Sequence, residues 1–142
     1  MRDSTPTDPL RVTSLLLPPL VVMAVIFYLS AQPGAAQYPT WEVVLRKVGH
    51  AGGYALLAFA WWRAFRGLLS SGRRFVAIAA AVVASIAYAA SDEFHQSLVT
   101  TRHGTPVDVL IDSIGIAAAA MLAAWLSRRP TGRRSRYRGG MF

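Results

Sequence analysis

Three stretches of this 142-residue chain carry polar residues at the spacing of a helix face. In one stretch, Lys47, His50 and Tyr54 are three and four residues apart, so a helix would place them on one side. In another, Asp108 and Asp112 are four residues apart. Carboxylates and imidazoles grouped in this way can hold a cation, bind a polar ligand or act as a general base. The spacing therefore predicts a polar cluster that several helices build together.

The third stretch is SDEFHQ, residues 91–96. If the helix before it continues through these residues, Asp92, His95 and Gln96 share one side. Glu93 then points about 100° away, because each residue of an α-helix turns by that angle.

Composition indicates that these residues belong to a membrane protein. The chain is 54% hydrophobic and 15% charged, whereas soluble domains are roughly 25% charged. It has no cysteine, which excludes disulfides, thiolate metal sites and cysteine nucleophiles. The net charge of +8 comes mainly from the N-terminal tail, residues 63–74 and residues 128–138. Anionic lipid headgroups explain such patches better than nucleic acid, so no nucleic-acid partner is predicted.

Four apolar stretches predict an all-α, polytopic membrane protein with four transmembrane helices, at about residues 12–30, 48–65, 75–91 and 107–127. Pro18 and Pro19 predict a kink in the first helix. The four helices form one domain, residues 12–127. A disordered N-terminal tail (1–11) and a basic cytoplasmic tail (128–142) flank it. A cleaved secretory signal peptide is the alternative for the first stretch, because basic residues precede it and small residues follow it.

The basic residues also predict the orientation. With both termini and the 63–74 turn inside, twelve of the fifteen basic residues are cytoplasmic. This N-in/C-in arrangement in the inner membrane follows the positive-inside rule. It places the polar stretches near the outer face. Asp112 precedes Arg128 by sixteen residues, about 24 Å of helix, so we expect the carboxylate slightly below that face and paired there.

Five motifs resemble those of the VanZ-like family: FYLSAQP, K-x-x-H-x-x-x-Y, SDEFHQ, Arg102 and D-V-L-x-D-x-x-G. They occur in order over roughly residues 20–125. The resemblance implies a bacterial cell-envelope membrane protein of unresolved biochemical activity. The family takes its name from an accessory protein linked to antibiotic resistance, against the glycopeptide teicoplanin. Its matching positions are Lys47, His50, Glu93, Gln96, Arg102 and Asp108. Asp112 stands where the family pattern usually has Asn, which adds a possible charge beside Asp108.

Three main classes of function fit these residues, and ion transport is a fourth for which four short helices leave little room for a pore. The cluster could bind, at the outer membrane face, a lipid-linked or cell-wall-related headgroup or a glycopeptide antibiotic. Alternatively, the chain is a small intramembrane hydrolase or transferase acting on a lipid phosphate, with Glu93 or His50 as the general base. As a third possibility, it is a structural assembly partner of envelope enzymes, in which polar residues only fix helix packing. Whether it is an enzyme stays open at this point, and membrane lipids are partners in each case.

The candidate ligand-binding residues are Lys47, His50, Tyr54, Asp92, Glu93, His95, Gln96, Arg102, Asp108 and Asp112. Some have simpler roles available. Lys47 can extend its amine to lipid headgroups, Asp92 can cap a helix, and Gly115 can let two helices pack closely. The sequence contains no paired metal-ligand motif, so neither a metal nor another cofactor is predicted.

Overall fold

The computed structural model describes residues 8–32, 39–70, 72–99 and 105–128. These residues form four α-helices: α1 (Pro9–Ser30), α2 (Thr40–Leu68), α3 (Arg74–Ser97) and α4 (Pro106–Arg128). The predicted all-α class and the number of helices are confirmed. Arg102 and most of the two predicted tails lie outside the described residues.

The helices begin and end differently from the prediction because apolar runs mark membrane depth rather than helix ends. α1 begins at Pro9, not residue 12, because Asp8 caps it by accepting a hydrogen bond from the Leu10 amide. It is continuous through Pro18 and Pro19, and the kink stays a prediction. α2 begins at Thr40 instead of residue 48, with Glu42 in its first turn, where a carboxylate favours the helix dipole.

α3 ends at Ser97 rather than residue 91, so the SDEFHQ stretch is helical. Its polar side chains therefore extend from a rigid helix rather than from a loop. The inward-facing ones are Asp92, Glu93 and Gln96, all of which are buried.

Three helices, α1, α3 and α4, are long and apolar enough to cross a membrane. Three of the four helices predicted to cross the membrane thus have the length and composition to do so, but α2 does not meet the same criterion. The physical reason is its position, since α2 forms the most extensive interface of the bundle, with α4, and also packs against α3 and α1. More of its surface faces protein, so glycines and polar residues such as His50 and Tyr54 replace aliphatic residues along it.

Small residues set the distance between the helices. A Cβ atom at Gly115 of α4 would overlap the backbone carbonyl of Ala51 in α2, so Gly115 is the predicted helix-packing glycine. The core around this crossing combines Tyr54, Leu57 and Ile116 with alanines. Large apolar side chains such as Val83, Ile114 and Met121 point outward and are more than half exposed, which suits a surface solvated by lipid.

Candidate functional site

Lys47 and Asp108 connect α2 to the start of α4. The Lys47 Nζ atom lies 2.7 Å from Asp108 Oδ1, and their side chains are 42% and 28% exposed. Thr105 Oγ1 donates a hydrogen bond to the other oxygen, Oδ2, at 2.7 Å. Both carboxylate oxygens are thus occupied, and the lysine amine is fixed at a partly accessible position.

Glu93 reaches the same place from α3. Its Oε2 accepts a hydrogen bond from the Thr105 backbone amide at 2.8 Å. Thr105 therefore links Glu93 to Asp108, and sequence reasoning missed it. The available signal was T-P-V-D, a capping pattern with threonine before the helix and a carboxylate three residues later. We refer to Lys47, Glu93, Thr105 and Asp108 as the Lys47 cluster.

A second group, the His50 cluster, consists of His50, Tyr54 and Asp112. His50 Nδ1 lies 3.8 Å from Asp112 Oδ2, which is longer than a hydrogen bond. Asp112 is 1% exposed, and neither of its oxygens has a hydrogen-bond partner among the described residues. The fully buried Tyr54 hydroxyl interacts electrostatically with Asp92 and Asp112. Unpaired buried polar atoms cost about 1–3 kcal/mol each, so this group lowers stability.

A third group, the Asp92 cluster, joins the end of α1 to α3. Asp92 Oδ2 accepts hydrogen bonds from Ser30 Oγ at 2.8 Å and from Gln96 Nε2 at 2.9 Å. All three residues are buried. Asp92 lies inside α3 and not at its end, so it is not a cap. Ser30 was missed in the sequence because a serine that ends an apolar run resembles an interfacial residue.

His95 lies apart from these groups in its contacts. Its ring stacks on Phe27 of α1 with the ring centres 4.5 Å apart. Asp92 also faces α1, through its hydrogen bond with Ser30. The two residues therefore share a helix side, as expected, but His95 contacts an apolar ring.

The three clusters lie at one end of the helix bundle. They are formed by the end of α1, the first half of α2, the end of α3 and the start of α4. Electrostatic interactions connect them. Glu93 interacts with Asp108, Asp112 and Asp92, and Asp108 interacts with His50. Nine of the ten candidate residues are at this end, and the tenth, Arg102, lies outside the described part of the chain. Their functional roles stay predictions.

The chemistry open to this end is recognition and proton exchange. Within residues 8–32, 39–70, 72–99 and 105–128, no three His, Asp or Glu side chains are arranged to hold one metal ion. Lys47 supplies a cationic donor, and the carboxylates supply acceptors for hydroxyl or amide groups of a ligand. A histidine beside a buried carboxylate can also act as a base.

Comparison with known proteins gives one result. Residues 14–127 match the family model described as VanZ/LLP1. The match includes parts of all four helices and every candidate residue, and it confirms the resemblance inferred from the motifs. No curated protein and no solved structure gives a significant match.

Proposed function

Because this chain belongs to the VanZ/LLP1 family, we propose that it binds, in the inner membrane of the bacterial cell envelope, the headgroup of a lipid-linked cell-wall precursor. The observation that carries the proposal is the Lys47–Asp108 pair. It holds a partly exposed amine at the end of the bundle where α3 and α4 present buried carboxylates. The amine suits a phosphate, and the carboxylates suit the hydroxyl and amide groups of an attached sugar or peptide.

The proposed orientation puts this end at the outer face of the membrane. Arg63, Arg73, Arg74 and Arg128 lie at the opposite end of the helices, and basic residues favour the cytoplasmic side. α2 runs antiparallel along the length of α1. Arg11 Nη2 of α1 donates to the Gly67 carbonyl at 2.9 Å, and Ile26 lies beside Gly53. If α1 crosses the membrane, α2 crosses it as well, because the two helices pack together along their length. With α3 and α4 this gives four crossings, and the basic residues at the opposite end then place both termini inside.

Replacing Lys47 tests the proposal. We expect Lys47→Met to weaken binding of a polyprenyl-diphosphate-linked amino sugar about tenfold, which corresponds to ~1.4 kcal/mol. Native mass spectrometry of the protein in phosphatidylcholine nanodiscs would measure it. Lys47→Met combined with Asp108→Asn separates loss of the amine from an unpaired carboxylate, and we expect it to bind equally weakly.

Arg128→Met is the matched control, because it removes one positive charge at the opposite end, where Arg128 is exposed. Equal binding by wild type and Lys47→Met would contradict the proposal. Loss of binding in Arg128→Met as well would show that general charge attraction is responsible. A change in glycopeptide susceptibility with no change in binding would favour the antibiotic itself as ligand.

Hydrolysis of a lipid phosphate is the second candidate function. The specific observation in its favour is His50 beside the buried Asp112, an arrangement in which a carboxylate can orient a general base. The same samples, analysed for released phosphate, distinguish the two functions. Turnover by wild type that is lost in His50→Gln with binding retained would support the hydrolase.

A further inference from the structure

α1 and α2 diverge toward the polar end of the bundle. Near the opposite end, a Cβ atom at Gly67 would lie 2.7 Å from the Leu15 side chain. Midway, a Cβ at Gly53 would lie 3.7 Å from Ile26, which is ordinary contact. At Gly49 it would meet no atom of the described residues within 4 Å. The two helices thus form a wedge that opens from Gly67 toward Gly49.

The wedge contains a groove with a volume of about 850 Å³, within the range of small-molecule sites. Val21, Val25 and Leu29 form much of the α1 wall, and Leu45 and Leu56 contribute to the α2 wall. Each of these side chains is half exposed or more. The groove is therefore apolar and open along the outer surface of the bundle, where a membrane protein meets lipid.

Polar residues line one end of the same groove. His50 and Tyr54 belong both to its wall and to the His50 cluster. Arg46 contributes a cation and Glu42 a carboxylate nearby, and Lys47 follows Arg46 in sequence. An apolar groove that leads into cationic and polar groups is complementary to an amphiphile, with its hydrocarbon in the groove and its headgroup at the clusters.

We infer that this groove holds the hydrocarbon chain of the lipid whose phosphorylated headgroup the polar clusters bind. The inference rests on the proposed function and specifies the ligand class as a lipid whose hydrocarbon chain carries a phosphate or diphosphate at its polar end. A second transmembrane helix is the competing occupant, because glycines four residues apart often pack against a helix. Here the two glycines would be Gly49 and Gly53. However, Ile26 of the same chain already lies beside Gly53, so only Gly49 is open to a second helix.

Photolabelling in phosphatidylcholine nanodiscs tests the inference. The two probes are a dodecyl phosphate and a dodecanol, each with a diazirine on the chain, and labelled peptides are located by mass spectrometry. We expect the phosphate probe to label residues 21–29 and 45–56 more strongly than the alcohol does. Gly49→Leu fills the open wedge and should reduce this labelling about tenfold.

Gly52→Leu is the matched control. Gly52 lies three residues after Gly49 on α2. A Cβ atom added there would also meet no described atom within 4 Å, but Gly52 does not line the groove. We expect it to label like wild type. Val25→Trp narrows the groove from α1 and gives a second test if Gly49→Leu does not fold.

The outcomes separate the groove from the headgroup site. Groove labelling that is equal for both probes would support the groove and contradict the proposed function. Stronger labelling by the phosphate probe that Gly49→Leu and Val25→Trp leave unchanged would overturn the groove and leave the proposed function standing. Labelling spread evenly over all four helices overturns both. If native mass spectrometry shows a wild-type dimer that Gly49→Leu converts to a monomer while the labelling is unchanged, a helix of a second copy is the occupant and the inference is overturned.

Discussion

Asp108 and Asp112 lie one helix turn apart in α4, but they differ in burial and in their hydrogen-bond partners. Asp112 is almost fully buried, and its oxygens accept no hydrogen bond from the described residues. Asp108 is partly exposed, and its oxygens contact Lys47 and Thr105. Burial without partners is expensive, whereas a paired carboxylate near the surface is mildly stabilising. The two residues should therefore respond oppositely to removal of their charge.

We expect Asp112→Asn to stabilise the protein by about 1–3 kcal/mol, since it replaces a buried carboxylate that accepts no hydrogen bond from the described residues with a neutral group of similar shape. Asp108→Asn should instead destabilise it by about 1 kcal/mol, because it weakens the Lys47 pair. Thermal unfolding of the two variants in the same detergent measures both effects. A lower melting temperature for Asp112→Asn would mean that its charge is compensated in the native protein.

The sequence predicted the position of these residues better than their partners. Helical spacing grouped Asp112 with Asp108, and the depth of Asp112 in the membrane stays a prediction. Spacing does not identify which residue on another helix lies opposite, because that depends on how the helices rotate and approach each other. Ser30 and Thr105 were missed for this reason, since each gains its role only from a contact with α3 or α4.

At the scale of helices, the closest approach of α2 and α4 depends on a single missing side chain. The Ala51 carbonyl occupies the space that a Cβ at Gly115 would need. The same approach brings Lys47 to Asp108 and His50 to Asp112. Gly115 therefore positions two clusters that it does not touch.

We expect Gly115→Ala to destabilise the protein by about 1–3 kcal/mol, as overpacking does. It should also weaken headgroup binding, because α2 and α4 must separate. Gly52→Ala is the control, since its Cβ enters open space. Alanine is the better helix former, so this variant should be unchanged or more stable by up to about 1 kcal/mol. Thermal unfolding separates them, and equal stability of the two variants would contradict the close approach.

Helix number and order were predictable from apolar runs, but helix ends were not. The first turns of α2 carry Glu42, Arg46 and Lys47, which no hydrophobicity pattern assigns to a membrane helix. These residues are helical although this part of α2 extends beyond the apolar core of the bundle. Likewise, the polar SDEFHQ stretch continues α3, because its side chains have partners on α1 and at Thr105.

For the whole molecule, α2 combines a low apolar content with a central position. It contacts each of the other helices, although it alone among the four is not apolar enough to count as a candidate span. In the proposed orientation, the two ends of α2 lie on opposite sides of the membrane.

The absence of native cysteine makes this orientation directly measurable. Thr40 and Ser70 flank α2, and both are exposed. We expect a membrane-impermeant maleimide to label Thr40→Cys in spheroplasts, and Ser70→Cys only after lysis. Labelling of both variants in spheroplasts, or of neither, would show that α2 does not cross.

The unequal polarity of α1 and α2 has a consequence for biogenesis. Lys47 and Arg63 lie sixteen residues apart in α2, so the uncharged stretch between them is about 24 Å of helix, less than the roughly 30 Å hydrocarbon core of a bilayer. α2 is thus a poor substrate for insertion by itself, whereas α1 is a good one. Because α1 and α2 are in contact at Gly67 and Gly53, we expect the two segments to leave the translocon as a hairpin, with α1 covering one face of α2. Insertion of α2 should then depend on α1, which is synthesised first.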